Sequence, residues 1–245
     1  MKIFDCNCSY GRAARPPHRF AAEVPQLIEE LDWCGIDQAL VYHTNQRFAS
    51  PVNWNGILTE DLQGQPCLHP TWAILPPACG ELPAPDEFVA AMRAAGVRAL
   101  RAFPQEHHYR LDATTFGPLF KQMAQRCIPL FAKENLVPLR DLLHGCPDLI
   151  VVAVNQGPHS VERHLRPLLD AYPNLHVETS RYMVEGLIEE FVDRYGPERL
   201  LFGSGFPDNC SGAALLRLAQ ADIDPEARVA VAGGNLQRLL EGVRL

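Results

Sequence analysis

Several features that would place this chain in a particular functional class are missing from it. Its 245 residues contain no apolar stretch near the ~20 residues that a membrane-spanning helix needs. The net charge is −7, and no run of basic residues or alternation of basic and aromatic residues occurs, which argues against binding nucleic acid through a charged surface. The start, Met1 to Asp5, has an acidic residue inside the first apolar run and predicts no signal peptide. We therefore expect neither a membrane nor a nucleic acid as a partner.

Common catalytic signatures are also absent from the sequence. It has no G-x-S-x-G elbow, phosphate-binding loop or dinucleotide fingerprint. There is no Cys-x-x-Cys, and the eight cysteines are scattered without forming a compact framework, which predicts a reducing, cytoplasmic compartment. Cys6 and Cys8 are expected to share one face of a strand, because side chains alternate with period two. We interpret them as core thiols facing the helices; a soft-metal pair is the alternative.

Composition and patterning favour a single barrel. With 47% hydrophobic and 21% charged residues, the chain has the composition of a globular protein, and its length suits one (β/α)8 barrel. Apolar, β-branched runs alternate with helical patterns, which is typical of a parallel sheet with crossover helices. The predicted strands span residues 2–8, 37–44, 68–75, 97–103, 128–133, 149–155, 174–180 and 199–204. We expect one α/β domain over residues 1–245, a closed TIM barrel.

Helix signals occur between these strands. Val24, Leu27 and Leu31 follow the spacing of one helical face. Ser160 is placed to cap a later helix. The stretch 45–66 is less regular, and we expect it to form loops over the mouth of the barrel.

Three stretches carry a more specific pattern. They are 3–11 (IFDCNCSYG), 150–157 (IVVAVNQG) and 200–207 (LLFGSGFP). In this order and spacing they resemble the amidohydrolase-related (amidohydrolase 2) family, a branch of the metal-dependent hydrolase superfamily built on a TIM barrel. The resemblance covers essentially the whole chain. It implies hydrolysis of C–N or C–O bonds, or decarboxylation.

The chain departs from that family at the metal ligands. There, the first stretch carries two histidines, the fifth strand and the middle stretch one each, and the last stretch an aspartate. This chain has Asn7, Ser9, Lys133, Asn155 and Gly205 in those places. Neutral amides, a hydroxyl and a glycine are poor ligands for a divalent ion. We therefore expect no metal and no cofactor, with Asn7, Ser9 and Asn155 as substrate-binding groups.

Two cationic residues are candidates for the lost electrostatic role. Lys133 at the end of the fifth strand could bind a carboxylate, stabilise an oxyanion or, once desolvated, act as a base or Schiff-base amine. The alternative is a structural ion pair with Glu178 or Asp5. Arg101, near the end of the fourth strand, could bind a substrate carboxylate through its bidentate fork. A surface arginine paired with a loop acid is the alternative there.

Two further residues are candidates for proton transfer. Glu178 ends the seventh predicted strand and could act as a general base, or serve as a salt-bridge partner. His43 ends the second strand and is either an acid/base group or a hydrogen-bonded structural histidine.

These observations lead to two hypotheses. The first is a metal-independent hydrolase, decarboxylase or other lyase. We expect its substrate to be a small anionic molecule that carries a carboxylate. The second is a catalytically inactive pseudoenzyme whose barrel binds a small ligand or a partner. Members of the family often form dimers, so the resemblance also allows a homodimer.

Overall fold

A computed structural model describes residues 1–133, 136–157 and 162–245. The strands are β1 Phe4–Tyr10, β2 Gln38–His43, β3 Leu68–Pro70, β4 Trp72–Ala73, β5 Leu100–Ala102, β6 Leu130–Ala132, β7 Val151–Ala153, β8 Leu175–Glu178 and β9 Leu200–Leu201. The helices are α1 Val24–Cys34, α2 Thr44–Phe48, α3 Pro51–Asp61, α4 Pro85–Ala94, α5 Ala113–Arg126, α6 Leu136–Gly145, α7 Glu162–Ala171, α8 Leu187–Tyr195, α9 Ser211–Gln220, α10 Pro225–Val229 and α11 Asn235–Glu241. Within these ranges no helix is both long and apolar enough to cross a lipid bilayer.

The strands form a closed parallel barrel. β1 to β3 make one hydrogen-bonded group and β4 to β9 make a second. The groups join at Thr71, which separates β3 from β4 and whose N–H donates to the Val41 carbonyl at 2.9 Å. The barrel closes where the Cys6 N–H donates to the Phe202 carbonyl, also at 2.9 Å. β3 and β4 therefore occupy one strand position, and the predicted (β/α)8 TIM barrel is confirmed.

The lower half of the barrel is filled with apolar side chains. They come from the strands and from the last helix, which covers the amino end of the strands. Leu236 and Leu240 of α11 belong to the same buried cluster as Phe4 of β1 and Phe131 of β6. Two histidines, His69 and His176, also lie at this level, whereas the predicted site residues lie nearer the carboxyl ends of the strands, where barrel enzymes have their active sites.

The helical predictions are confirmed at the first helix and wrong in the stretch 45–66. α1 has Pro25 in its first turn and ends at Gly35, whose φ of 71° gives the left-handed cap that glycine favours. The stretch 45–66 contains most of α2 and all of α3, where we expected loops. Apolar spacing is weak in α3, so the pattern gave little helical signal there. The predicted cap Ser160 lies outside the described residues.

The prediction that Cys6 and Cys8 share one face is also wrong. The pairing of β1 with β2 shifts register between Asp5 and Cys8, as expected for a β-bulge. Cys6 therefore lies in the interior cluster of the barrel, while Cys8 packs with the helices. Burial raises the pKa of both thiols well above the ordinary value.

Candidate active site

Arg101 lies in the centre of the barrel. Its strand neighbours Leu100 and Ala102 face the helices, so Arg101 faces inward. It is only 2% exposed. Its Nη1 donates to Asn7 Oδ1 at 3.0 Å, and its Nη2 donates to the Cys6 carbonyl at 3.2 Å. The interior of the barrel therefore has its own fixed cation, supplied by β5.

The guanidinium of Arg101 keeps unused hydrogen-bonding capacity. It lies over the rings of Tyr42 and Phe131, at 4.5 and 5.3 Å from their centres. Its Nε has no hydrogen-bond partner. Burial lowers its pKa, but an arginine keeps its proton at neutral pH. Such a group is prepared to bind an anion.

Glu178 lies below the mouth and is fully buried. Its carboxylate accepts hydrogen bonds from the Asn155 N–H, from the Ser180 N–H at 2.7 Å and from the Ser180 hydroxyl at 2.7 Å. Burial raises its pKa to about 6, although these hydrogen bonds act in the opposite direction. A Cβ at Gly203 would collide with this carboxylate, so the close approach requires glycine.

Asp5 is the second interior carboxylate. Its Oδ1 accepts the N–H groups of Asn7 and Ser204, each at 2.9 Å. Its Oδ2 is buried without a hydrogen-bond partner. Burial raises its pKa, and the charge of Arg101 acts to lower it. Asp5 therefore organises the bulge of β1 and interacts with the guanidinium through charge.

The two candidate amides contact each other. Asn7 Nδ2 donates to Asn155 Oδ1 at 3.4 Å, and the Ser180 Oγ lies 3.2 Å from the same oxygen. Asn155 has φ of 55°, a left-handed conformation that asparagine tolerates better than most residues. The predicted substrate-binding residues Asn7, Asn155 and Arg101 are therefore brought together.

Lys133 and Arg101 line one cavity at the mouth of the barrel. Asn155, Arg47, Glu106 and Tyr42 line it with them. Lys133 is exposed, and partial desolvation followed by the charges of Arg47 and Arg181 lowers its pKa. Among the described residues no ion pair joins Lys133 to Glu178 or Asp5. Ser9 lies apart from it and lines a neighbouring cavity of about 80 Å³.

His43 is used locally and does not line the mouth cavity. Its Nδ1 accepts the Asn45 N–H at 3.0 Å and so caps α2. Its ring stacks on Trp54 at 4.1 Å. Gly11 approaches the ring so closely that a Cβ would collide with it. Burial lowers the pKa of His43 to about 4, so the imidazole is neutral at pH 7.

This arrangement predicts a pH-dependent contribution to stability. Since the folded-state pKa of His43 is about 4 and the unfolded value is about 6.5, the unfolded chain binds more protons between these values. The free energy of unfolding should fall as pH drops from 6.5 towards 4. His43→Asn, which keeps a capping oxygen, should lose about 2 kcal/mol less over this interval. Urea unfolding at pH 7 and pH 4.5 measures this. The exposed His164→Asn is the control, and an unchanged pH dependence in His43→Asn would contradict the assignment.

The residues at the mouth do not fit a divalent metal ion. At three positions where the resemblance implies metal ligands, Asn7 is hydrogen-bonded to the Arg101 guanidinium, Asn155 is hydrogen-bonded to Asn7, and Gly205 has no side chain. Gly205 has φ of 69°, and a Cβ there would lie 2.8 Å from Ser180 Cβ. The described residues include no group of three His, Cys, Asp or Glu side chains able to hold one ion. A divalent ion would also be repelled by Arg101.

Sequence reasoning missed two charged residues at the mouth. Arg47 lies on α2, inside the stretch expected to be a loop. Glu106 follows β5, and its segment is fixed by Tyr109, whose hydroxyl accepts the Phe103 N–H at 3.0 Å. The position of Glu106 shortly after a predicted strand was the signal that could have identified it as a site residue. No signal identified Arg47, because its helix was not predicted.

A larger cavity, about 790 Å³, lies outside the barrel between α1 and α9. Trp33, Leu215 and Leu216 contribute to its lining. None of the predicted site residues lines this groove. We therefore locate the candidate active site at the barrel mouth.

Comparison with known proteins agrees with this architecture. An uncharacterized TIM-barrel protein from Bordetella bronchiseptica has a TM-score of 0.75 at 18% identity, with 99% of each chain covered. A dihydroxybenzoic acid decarboxylase from Polaromonas sp. JS666, solved with bound manganese and the inhibitor 2-nitroresorcinol, has a TM-score of 0.76 at 13% identity, covering 98% of this chain and 97% of the other. A putative 2-pyrone-4,6-dicarboxylic acid hydrolase from Pseudomonas putida has a TM-score of 0.74 at 15% identity, with 98% of each chain covered. At these identities the likeness shows the fold alone.

The family itself follows from a separate comparison. None of the curated proteins matches this chain. The amidohydrolase family model, however, matches residues 17–241. The match begins after β1, so it leaves out Asp5, Asn7 and Ser9. It spans nearly all of the remaining barrel, and the chain therefore belongs to the amidohydrolase family.

Proposed function

We propose that this protein is a metal-independent enzyme that decarboxylates or hydrolyses a small carboxylated molecule at the barrel mouth. The observation that carries the proposal is the buried guanidinium of Arg101, which lines the same cavity as Lys133. A fixed cation in a water-poor site stabilises negative charge more strongly than the same cation in water. Arg101 would bind an anionic oxygen of the substrate through donors that its contacts with Asn7 and Cys6 leave free.

Lys133 is the group we assign to proton transfer. The Glu178 carboxylate is buried beneath the cavity and accepts hydrogen bonds from Ser180, and the Glu106 carboxylate forms an ion pair with Arg47. Neither carboxylate is therefore free to exchange protons with a substrate. The lowered pKa of Lys133 brings it closer to the range in which an amine exchanges protons efficiently. In decarboxylation, the C–C bond breaks, its electron pair stays on the carbon, and Lys133 donates a proton there as CO2 leaves. In hydrolysis, the neutral amine takes a proton from the attacking water.

Of the two reactions, decarboxylation is favoured because the described residues at the mouth offer no free carboxylate as a base. Among the described lining residues, Glu106 carries the only carboxylate, and Arg47 engages it. Hydrolysis needs a base before the bond breaks, whereas a protonated lysine can serve decarboxylation directly. We therefore place decarboxylation first.

A ligand-binding protein without activity is the second candidate. Two observations favour it: His43 caps α2, and Glu178 is saturated by neighbouring donors. Both side chains that the sequence suggested for proton transfer thus have local structural uses. Such a protein would keep the anion site of Arg101 and lose turnover.

The test is a turnover assay on protein treated with EDTA and desalted. Aromatic carboxylic acids are assayed for CO2 release, and lactones and amides for hydrolysis. We expect turnover to survive chelation and Lys133→Met to lower kcat by about 100-fold, the usual effect of losing a proton-transfer group. Lys121→Met, on α5, is the control. Loss of turnover on chelation, restored by zinc or manganese, would contradict metal independence. If no compound turns over but a carboxylate raises Tm, the second candidate is supported.

A further inference from the structure

The cavity above Arg101 is too small for the proposed substrate. Its volume is about 10 Å³, room for a single water molecule. The neighbouring cavity, about 80 Å³, shares Arg47 and Tyr42 with it. A carboxylated organic molecule can therefore reach Arg101 only after a side chain between these spaces moves.

Arg47 is one of the two side chains shared by these spaces, and an internal carboxylate holds it in place. Its Nε and Nη2 both contact Glu106 Oε1 at 2.6 Å. Its Nη1 is 3.5 Å from Asp208 Oδ2. The side chains of Arg47 and Glu106 are 17% and 21% exposed, whereas that of Asp208 is 51% exposed. The Glu106 contact is thus the shorter and the better shielded from solvent.

Of the described residues that line this cavity, Glu106 is the one carboxylate, and it lies beside three cations. Arg47, Arg101 and Lys133 line it, and Glu106 is the acidic residue in the same lining. The protein as a whole has a net charge of −7, so this positive region is local. The Glu106 carboxylate therefore supplies one negative charge to a cavity whose cations could bind an external anion.

We propose that Glu106 occupies the position of the ligand's carboxylate, and that Arg47 exchanges Glu106 for the ligand on binding. This inference rests on the proposed function, since it assumes that Arg101 binds a carboxylated ligand. Arg47 is then a ligand-binding residue, and Glu106 is a built-in competitor that lowers affinity. The exchange joins the two cavities and gives the ligand room. It forms and breaks no covalent bond.

The test is the Kd of acetate, benzoate and phthalate for variants of this pair, measured by calorimetry and by the rise in Tm. Glu106→Gln keeps the shape of the side chain and removes the competing charge. We expect it to tighten binding by about tenfold, because a charge-assisted contact between Arg47 and Glu106 no longer has to be broken. Arg47→Ala should weaken binding by about tenfold, because the ligand's carboxylate loses its charge-assisted contact with Arg47. Asp208→Asn, at the longer contact, should have a smaller effect than Glu106→Gln.

The controls separate this exchange from a long-range effect of net charge and from failure of the carboxylate site itself. Glu87→Gln, on the exposed face of α4, makes the same change in net charge far from the pair, and we expect no change in Kd. If Glu106→Gln and Glu87→Gln tighten binding equally, the effect is long-range charge and the exchange is wrong. If Arg101→Met abolishes binding while Glu106→Gln and Arg47→Ala leave Kd unchanged, the proposed carboxylate site stands and the exchange fails. If no carboxylate of the panel binds the wild type or any variant, both proposals fail.

Discussion

Replacing Arg101 with methionine is expected to lower the free energy of unfolding by about 3 kcal/mol and to abolish carboxylate binding. The guanidinium interacts through its charge with the buried carboxylates of Asp5 and Glu178. Removing the positive partner from a buried group of charges leaves the remaining carboxylates without a compensating charge. It also removes the donor to Asn7 Oδ1. Urea unfolding and calorimetry with benzoate measure the two effects.

The pH dependence of this variant distinguishes lost charge from lost packing. Without Arg101, the pKa of Glu178, which is about 6, should rise further above its unfolded value. A raised carboxylate pKa means that stability is lost as pH increases from the unfolded pKa through the folded one. The defect in Arg101→Met should therefore be larger at pH 8 than at pH 5, and Arg101→Lys should recover part of it. Arg110→Met, whose side chain is 81% exposed, is the control and should leave stability unchanged. Equal losses at both pH values would indicate packing alone.

Restoring the family's aspartate at position 205 is expected to destabilise the protein and not to create a metal centre. Gly205→Asp would place an L-residue at φ of 69°, at a cost of about 1–2 kcal/mol. Its Cβ would lie 2.8 Å from Ser180 Cβ, and such overpacking costs a further ~1–3 kcal/mol. We expect a total loss of about 3 kcal/mol, measured by urea unfolding.

Gly212→Asp supplies a matched control for that substitution. Gly212 lies in the first turn of α9 and has no heavy atom within 4 Å of an added Cβ, and its replacement introduces the same charge. An acidic residue in the first turn of a helix is favourable, so stability should stay within about 0.5 kcal/mol of the wild type. A Gly205→Asp protein that is fully stable and binds zinc with one ion per chain would show that the assignment of a metal-free site is wrong.

The barrel could be predicted because its signals are repetitive and local. Each strand contributes an apolar run, and the runs recur with helical patterns between them. The three stretches near Asp5, Asn155 and Gly205 also indicated where strand ends meet. Inward orientation of Arg101 follows from alternation on β5 once the strand is known.

The other features of the site depend on contacts between distant residues and on a bulge. The alternation of side chains along a strand does not reveal either of them. One extra residue in β1 moves Cys6 and Cys8 to different faces, and the bulge depends on hydrogen bonds that Asp5 accepts from distant Ser204. The saturation of Glu178 likewise requires Ser180 and Asn155 to approach in space. Sequence analysis proposed Lys133 as a candidate for the electrostatic role of a metal ion because it stands at a ligand position of the family. The structure instead has Arg101 at the centre and Lys133 at the rim.

A guanidinium anchored to β5 differs in kind from an ion held by ligands. It cannot dissociate, be exchanged for a competing ion or be stripped away during starvation for trace elements. It also carries a single charge and offers no vacant coordination position, so it can orient and stabilise an anion without activating a bound water. A barrel with this feature has a positive charge that is encoded in the polypeptide and is present as soon as the strand is in place.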